Sequence, residues 1–253
     1  MQMDRLSACV EEACLNAWPA LKEIFYDGWL IRLAEGQTRR TNSVNVIGPG
    51  RTAMEDKIGY CERVYRAHGQ PLYFRIRSTD DPALEQLLDA QGFRAEDDTR
   101  TLFMDFAATP PSLPDDRFHI AIQEGHPGEE WLDAHARFVG GARDTARNRL
   151  LDLVALPIAF AAAHDGRGRI VSVAYGAVHD RVVILQWVAT DPALRRSGLS
   201  RATLSALLRC RGTKARPAPA FRLLQRTRQR LLCMKAWASR GNFTAITIGC
   251  DDF

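Results

Sequence analysis

Apolar positions along this chain recur with two periods, and their order lays out a succession of short elements. Leu6–Trp18 repeats its apolar residues every three or four positions and predicts an amphipathic helix. Trp29–Ala34 and Ser43–Ile47 alternate as half-buried strands do, and Leu72–Ile76 predicts another strand. Asp81 and Pro82 then open a helix over Ala83–Ala90, with Asp81 as N-cap, Pro82 at the first helical position and Gly92 beyond the end. A strand over Thr101–Phe106 closes this upstream half. The segment Ala107–Asp116 is proline-rich and aperiodic, and reads as a linker. Downstream, Phe118–Ile122 predicts a strand and Gly128–Phe138 a helix. Ile158–Ala163 turns at His164-Asp165-Gly166 into its hairpin partner Ile170–Val178, which turns at His179-Asp180 into a buried strand, Val182–Ala189. Asp191-Pro192 breaks that strand, and a glycine loop leads into a helix over Leu199–Leu208.

Antiparallel strands followed by a strand–glycine loop–helix unit predict an α+β fold, with the upstream half as a worn copy of the downstream plan. The 253 residues, 46% hydrophobic and 25% charged, suit an ordinary globular protein with room for two small domains. The longest apolar run, around Val154–Ala163, is about half of what a membrane span needs. The first twenty residues, with Asp4, Glu11 and Glu12, lack the layout of a secretory signal. Six cysteines (Cys9, Cys14, Cys61, Cys210, Cys233, Cys250) form no C-x-x-C pair and have no His cluster beside them. They predict reduced thiols, a cytoplasmic location and no metal.

The chemistry concentrates in Trp187–Ala202. A buried strand delivers the chain to a tight loop, and the loop opens a helix whose first amides have no partner within the helix. Those amides and the helix dipole favour an anion. Gly198 lets a phosphate approach the backbone, and Arg195 and Arg196 add charge-assisted bonds. The stretch predicts a pyrophosphate site.

Arg195-x-x-Gly198-x-Ser200, after Val188-x-x-x-Pro192, resembles the acetyl-CoA motif of the GCN5-related N-acetyltransferases. Ser200 departs from the motif, whose last position is Gly or Ala. NAWPA, DGWLIR and TRRTNSVN in Asn16–Val46 resemble the N-terminal half of double-domain members. The resemblance implies tandem domains of that type, each a mixed, mainly antiparallel sheet flanked by helices. It also implies acetyl-CoA as cosubstrate and an amine of a small molecule or protein as acceptor. Val188, Ala189, Thr190, Arg195, Arg196, Ser197, Gly198, Leu199 and Ser200 fall at the cofactor positions, with the Val188 backbone supporting the developing oxyanion. No catalytic side chain is assigned: Gln186 cannot be a base, and His164, Asp165, His179 and Asp180 read as turn residues. Trp29, Arg32, Arg39, Arg40, Asn42 and Ser43 read either as an acceptor-pocket wall or as cross-strand packing with turn chemistry.

The resemblance fails after the cofactor helix. The family has a strand, then a helix carrying N-x-x-A-x-x-L-Y-E-x-L-G-F, whose Tyr is commonly the acid for the leaving thiolate, then a last strand. Residues 209–253 contain no such motif and no clear period before Phe243–Ile248, and Arg209–Arg240 is basic throughout without one Asp or Glu. The genetic code offers a cause. With the reading frame shifted one base upstream, Met234 with Lys235 must encode Glu, and Trp237 with Ala238 must encode Gly. Permitted codons then give NTPALALYESLGFARKLYRYHYRVRRL across Arg226–Phe253. The expectation is therefore a frame displacement between Arg209 and Arg226, with the second domain lacking its usual last helix and strand. The division expected is 1–106 for a degenerate first domain, 107–116 for the linker, 117–208 for the acetyl-CoA domain and 209–253 for an aberrant basic tail. Two alternatives stand beside the acetyltransferase: an impaired acetyl-CoA binder, and a nucleic-acid binder using Arg209–Arg240. The latter stretch has only Phe221 and Trp237 for stacking.

Overall fold

A computed structural model describes residues 2–35, 38–101, 117–180, 182–212 and 227–234. Its elements run α1 (Gln2–Ala17), β1 (Lys22–Tyr26), β2 (Trp29–Leu33), β3 (Val44–Val46), α2 (Met54–Ala67), β4 (Tyr73–Arg77), α3 (Pro82–Ala90) and β5 (Phe93–Thr101). They continue with β6 (His119–Glu124), α4 (Glu129–Phe138), α5 (Thr145–Asp152), β7 (Ile158–His164), β8 (Ile170–His179), β9 (Val182–Thr190), α6 (Leu199–Gly212) and β10 (Thr227–Met234). The architecture is α+β, with two mainly antiparallel sheets and flanking helices. The chain divides into two compact units, one holding β1–β5 with β10, the other holding α1 with β6–β9.

The first unit has strand order β1-β2-β3-β4-β10-β5. Trp29, Ile31, Leu33 and Phe74 pack against Ile58, Cys61 and Tyr65 of α2 and Leu84 and Leu88 of α3. Asp81 caps α3 as its sequence predicts, accepting from the Ala83 amide at 2.9 Å. The β1–β2 turn rests on Asp27 and Gly28, both at positive φ (44° and 83°). A Cβ at Gly28 would sit on the Gly48 carbonyl and 2.5 Å from that of Pro49, so only glycine fits there. The Asp27 carboxylate accepts from the Arg51 and Thr52 amides at 2.8 Å, and these bonds hold its pKa down at about 2. Lys57 donates to the Asp27 carbonyl at 2.8 Å and lies 4.4 Å from the Trp29 ring centroid.

The other unit has strand order β6-β7-β8-β9. Ala159, Ala161 and Ala174 are small enough to let α6 approach one face, where Leu204 and Leu207 pack on them. The opposite face is aromatic: Trp131 of α4 meets Phe160 and Trp187 at ring-centroid distances of 5.1 and 6.2 Å. Helix α1 comes first in the chain yet packs in this unit, where the Tyr175 hydroxyl donates to the Ala17 carbonyl at 2.9 Å. Trp18 meets Trp187 edge-on at 5.2 Å.

Several elements depart from the sequence reading. β1, α2 and α5 have no counterpart in it, since each mixes charges into its apolar positions; α2, for instance, buries Lys57 beside Ile58 and Cys61. Of the closing strand expected over Thr101–Phe106, only Thr101 is among the described residues; β5 occupies Phe93–Thr101, a span the sequence reading left without a strand. Its sequence FRAEDDTRT carries charge at successive positions, and backbone pairing rather than alternation makes it a strand. β10 is a strand within the tail that showed no period, paired antiparallel with both β4 and β5. The linker 107–116, the segment Leu102–Phe106 and the stretch Phe243–Ile248 lie outside the described residues.

Candidate active site

The glycine loop is built by the end of β9. Asp191 turns the chain, accepting from the Ala193 amide at 3.0 Å, and Pro192–Leu194 forms a 3-10 turn. Arg196 (φ 64°) and Gly198 (φ 87°) then take left-handed conformations two residues apart. Such alternation curls successive amides toward one side, as an anion nest requires. The Ser197 hydroxyl donates to the Leu194 carbonyl at 2.6 Å and pins the curl. α6 begins at Leu199 with no acidic residue in its first turn. The amides of that turn face the nest without an intrahelical acceptor.

Two cations converge on Gly198 that the sequence reading did not place there. A Cβ at Gly198 would lie 3.7 Å from Arg117 Nη2 and 3.8 Å from Arg201 Nη2. Arg117 precedes β6 and Arg201 lies in the first turn of α6. With exposed Arg195 and Arg196, the loop is ringed by positive charge over a backbone free of side-chain bulk. That cradle suits a pyrophosphate.

Ser200, the departure from the motif, has an inward role. Its hydroxyl meets Thr190 Oγ1 at 2.7 Å, and Thr190 Oγ1 meets Ser172 Oγ at 3.0 Å. This hydroxyl chain ties the start of α6 to the end of β9 and to β8, so the extra oxygen of Ser200 is bonded and stays out of the nest.

One step earlier, β9 is bulged. Gln186 pairs with Tyr175 and Ala189 with Val173, so Trp187 and Val188 together oppose the single residue Ala174. Trp187 sits at φ 51°, the left-handed first position such a bulge uses. The bulge sends the Trp187 ring to the aromatic face and Val188 to the α6 face, where Val188 packs with Leu204 and Leu207. Among the described residues β9 is the sheet edge on the side away from β8, which leaves backbone groups around Val188 outside the ladder.

Polar groups gather on the aromatic face beside the bulge. His135 of α4 is buried and stacks 4.5 Å from the Trp187 ring. Burial, aided by the nearby Arg147 charge, pushes its pKa down to about 3, so it is neutral at pH 7. Arg147 of α5 holds its guanidinium carbon 4.8 Å from the centroid of Trp187. The Tyr175 hydroxyl is buried against Ala17, which removes the last tyrosine of the sequence as an acid for a thiolate.

The nine residues expected from sequence at the cofactor site lie at the end of β9, as Val188, Ala189 and Thr190, and, beyond the 3-10 turn, on the loop and start of α6, as Arg195, Arg196, Ser197, Gly198, Leu199 and Ser200. Missed were Arg117, Arg201, His135 and Arg147, which no motif marks. His179 ends β8 and lies 3.5 Å from Asn16 and 4.0 Å from Glu12 of α1. Of the upstream cluster, Trp29, Arg32, Asn42 and Ser43 are buried and Arg39 and Arg40 half-buried, and Arg32 is held by Glu23 at 2.9 Å and by the Arg40 carbonyl. These contacts are packing and turn chemistry. Among the described residues no helix is long and apolar enough to cross a membrane, and no three His, Cys, Asp or Glu side chains gather as a metal would require.

A mainly antiparallel sheet with a bulged strand, a glycine loop and a helix behind it is the fold of the GCN5-related N-acetyltransferases. Solved structures agree on the fold. A GCN5-related N-acetyltransferase from Kribbella flavida shares 13% identity over 92% of this chain and 96% of its own, with a TM-score of 0.64. A tandem GNAT protein from the clavulanic acid biosynthesis pathway covers 78% and 76% of the two chains at 12% identity and TM-score 0.56. A GCN5-related N-acetyltransferase from Sphaerobacter thermophilus covers 90% and 89% at 16% identity and TM-score 0.55. No curated protein sequence matches the chain. The family model described as "Probable histone acetyltransferase Rv0428c C-terminal" matches residues 8–231, and the chain belongs to that family.

Proposed function

We propose that this protein transfers the acetyl group of acetyl-CoA to an amine, with the pyrophosphate seated on Arg195–Ser200. The observation that carries the reading is the cradle over Gly198, where left-handed backbone, a helix N-terminus and the guanidinium groups of Arg117 and Arg201 meet at one point. Arg195 and Arg196 add charge to the same anion, and Ala189 and Thr190 line the path of the pantetheine arm along β9. Acetyl-CoA supplies an activated thioester carbonyl. The amine nitrogen bonds to the acetyl carbon as the carbon–sulfur bond breaks, and the Val188 amide supports the charge that grows on the carbonyl oxygen. His135 is not the base for the ammonium proton, because an imidazole with a pKa near 3 is mismatched to that task at neutral pH.

The test is calorimetric titration with acetyl-CoA. The parent binds saturably, whereas Gly198→Asp, which sets a carboxylate in the cradle, loses binding by at least about tenfold and melts lower by the equivalent of about 1 kcal/mol, the cost of a side chain at the left-handed backbone of that position, while staying folded. Equal binding by the variant makes the loop an ordinary turn.

A second reading is an impaired enzyme that binds acetyl-CoA and turns over slowly. It is favoured by the absence of any tyrosine after Tyr175 and by the lack, among the described residues, of a strand following α6 in the β6–β9 sheet. A displaced reading frame accounts for both. The family match runs to residue 231, past Arg226, where the displaced frame begins to supply the family's helix. As written, the same stretch is the strand β10. The basic stretch that a nucleic-acid binder would use lies mostly outside the described residues.

A further inference from the structure

We propose that His119 of β6 and His164 of β7 chelate a divalent transition-metal ion of the zinc, nickel or copper class. The two residues are direct partners across the antiparallel β6–β7 ladder. Such partners share one face of the sheet, with Cβ atoms about 5 Å apart. Their imidazole centroids stand 5.6 Å apart, with the rings inclined at 49°. A zinc ion about 2.1 Å from one nitrogen of each ring, at a tetrahedral angle, sets the centroids roughly 5 Å apart. A small turn of either side chain therefore closes the pair on an ion.

A second observation points to a ligand at the same place. His164 Nδ1 is buried and has no hydrogen-bond partner among the described residues. A ring nitrogen in that state carries a free-energy cost, which coordination through its lone pair relieves. β7 slips in register against β8 between Ala163 and His164, an irregularity of the kind that re-aims a side chain at a strand end. His119 is exposed and His164 half-buried, so solvent reaches the pair. Imidazole nitrogen is the donor that zinc, nickel and copper take, whereas calcium and magnesium take oxygen. The neighbouring Asp165 carboxylate is committed to the Arg167 and Arg169 amides and to the Arg169 guanidinium, so it adds no third ligand. With two protein ligands, water fills the remaining positions, and the ion is held reversibly rather than as a closed structural site holds one. Among the described residues β6 is the edge of its sheet, and the ion staples it to β7. The staple steadies the strand that follows Arg117, whose guanidinium reaches Gly198.

The experiment is calorimetric titration of the untagged full chain with zinc chloride, beside His119→Gln, His164→Gln and a control, His126→Gln, whose imidazole lies 3.2 Å from Asp152 instead. The parent and the control bind one ion with equal affinity. Either chelate variant binds at least about tenfold more weakly, because a lone imidazole does not chelate. Because His119 is exposed, His119→Gln keeps the fold even where His164→Gln loses it. Thermal melts give an independent reading: zinc at about ten times its Kd raises the parent's midpoint by about 2–4 °C and leaves that of His119→Gln in place. Absence of saturable binding by the parent overturns the inference. So does binding or stabilisation that persists in His119→Gln, as zinc held by thiols would give, or equal weakening in His126→Gln.

Discussion

Acid should destabilise the unit built on β6–β9 through one side chain, His135. The imidazole is only 5% exposed and packs against both Trp131 and Trp187, with ring centroids 5.8 and 4.5 Å away. Burial first, and the Arg147 charge second, bring its pKa from 6.5 to about 3. The unfolded chain therefore takes up a proton near pH 6.5 that the folded chain refuses until about pH 3. The group's contribution to stability is complete above pH 6.5 and is lost as the pH falls toward 3. At pH 5 the difference is about 2 kcal/mol, since each unit is worth about 1.4 kcal/mol. Urea unfolding followed by tryptophan fluorescence at pH 7 and pH 5 reads this directly, on the parent and on His135→Phe, which keeps the aromatic stack. The parent should lose about 2 kcal/mol more than the variant between the two conditions. Carboxylates held low, such as Asp27, Glu129 and Asp165, titrate further down and are common to both proteins. Equal losses in parent and variant would refute the reasoning, because His135 would then be protonated in the fold or absent from the core.

Gly28→Ala should cost on the order of 3 kcal/mol, since a Cβ at φ 83° also meets the Gly48 and Pro49 carbonyls; a thermal melt of the variant measures it, and an unchanged midpoint rejects the geometry. Sequencing the gene should show a frame displacement between Arg209 and Arg226, with the displaced frame open and encoding Tyr-Glu before Leu-Gly-Phe; a stop codon within it ends that explanation. The frame-restored protein should be more stable and more active than the chain as written, which thermal melts and coenzyme A release will compare.

Much of the site was legible because its determinants are local. Gly198, the paired arginines and the break at Asp191-Pro192 lie within a few residues of one another, and each acts on its own stretch of backbone. The cap of α3 and the three strands of the downstream hairpins are local in the same sense: period and capping chemistry depend on neighbours in sequence. The α+β class and the superfamily followed from those stretches together.

Other features exist only because distant residues meet. Arg117 reaches Gly198 from the start of β6, and Arg147 reaches Trp187 from α5; each is an ordinary exposed-type residue in its own sequence context. The bulge at Trp187 is a mismatch of count between β9 and β8, visible only once the two strands are in register. β5 and β10 carry no alternation and become strands by pairing with each other and with β4. Helix α1 could be read as a helix from its period, but its apolar face does not say which sheet it covers. The sequence by itself determined local conformation, because backbone preference and periodicity act over a few residues. Burial, cross-strand register and the shifted proton affinity of His135 depend on which surfaces come together, and the tertiary structure alone decided those.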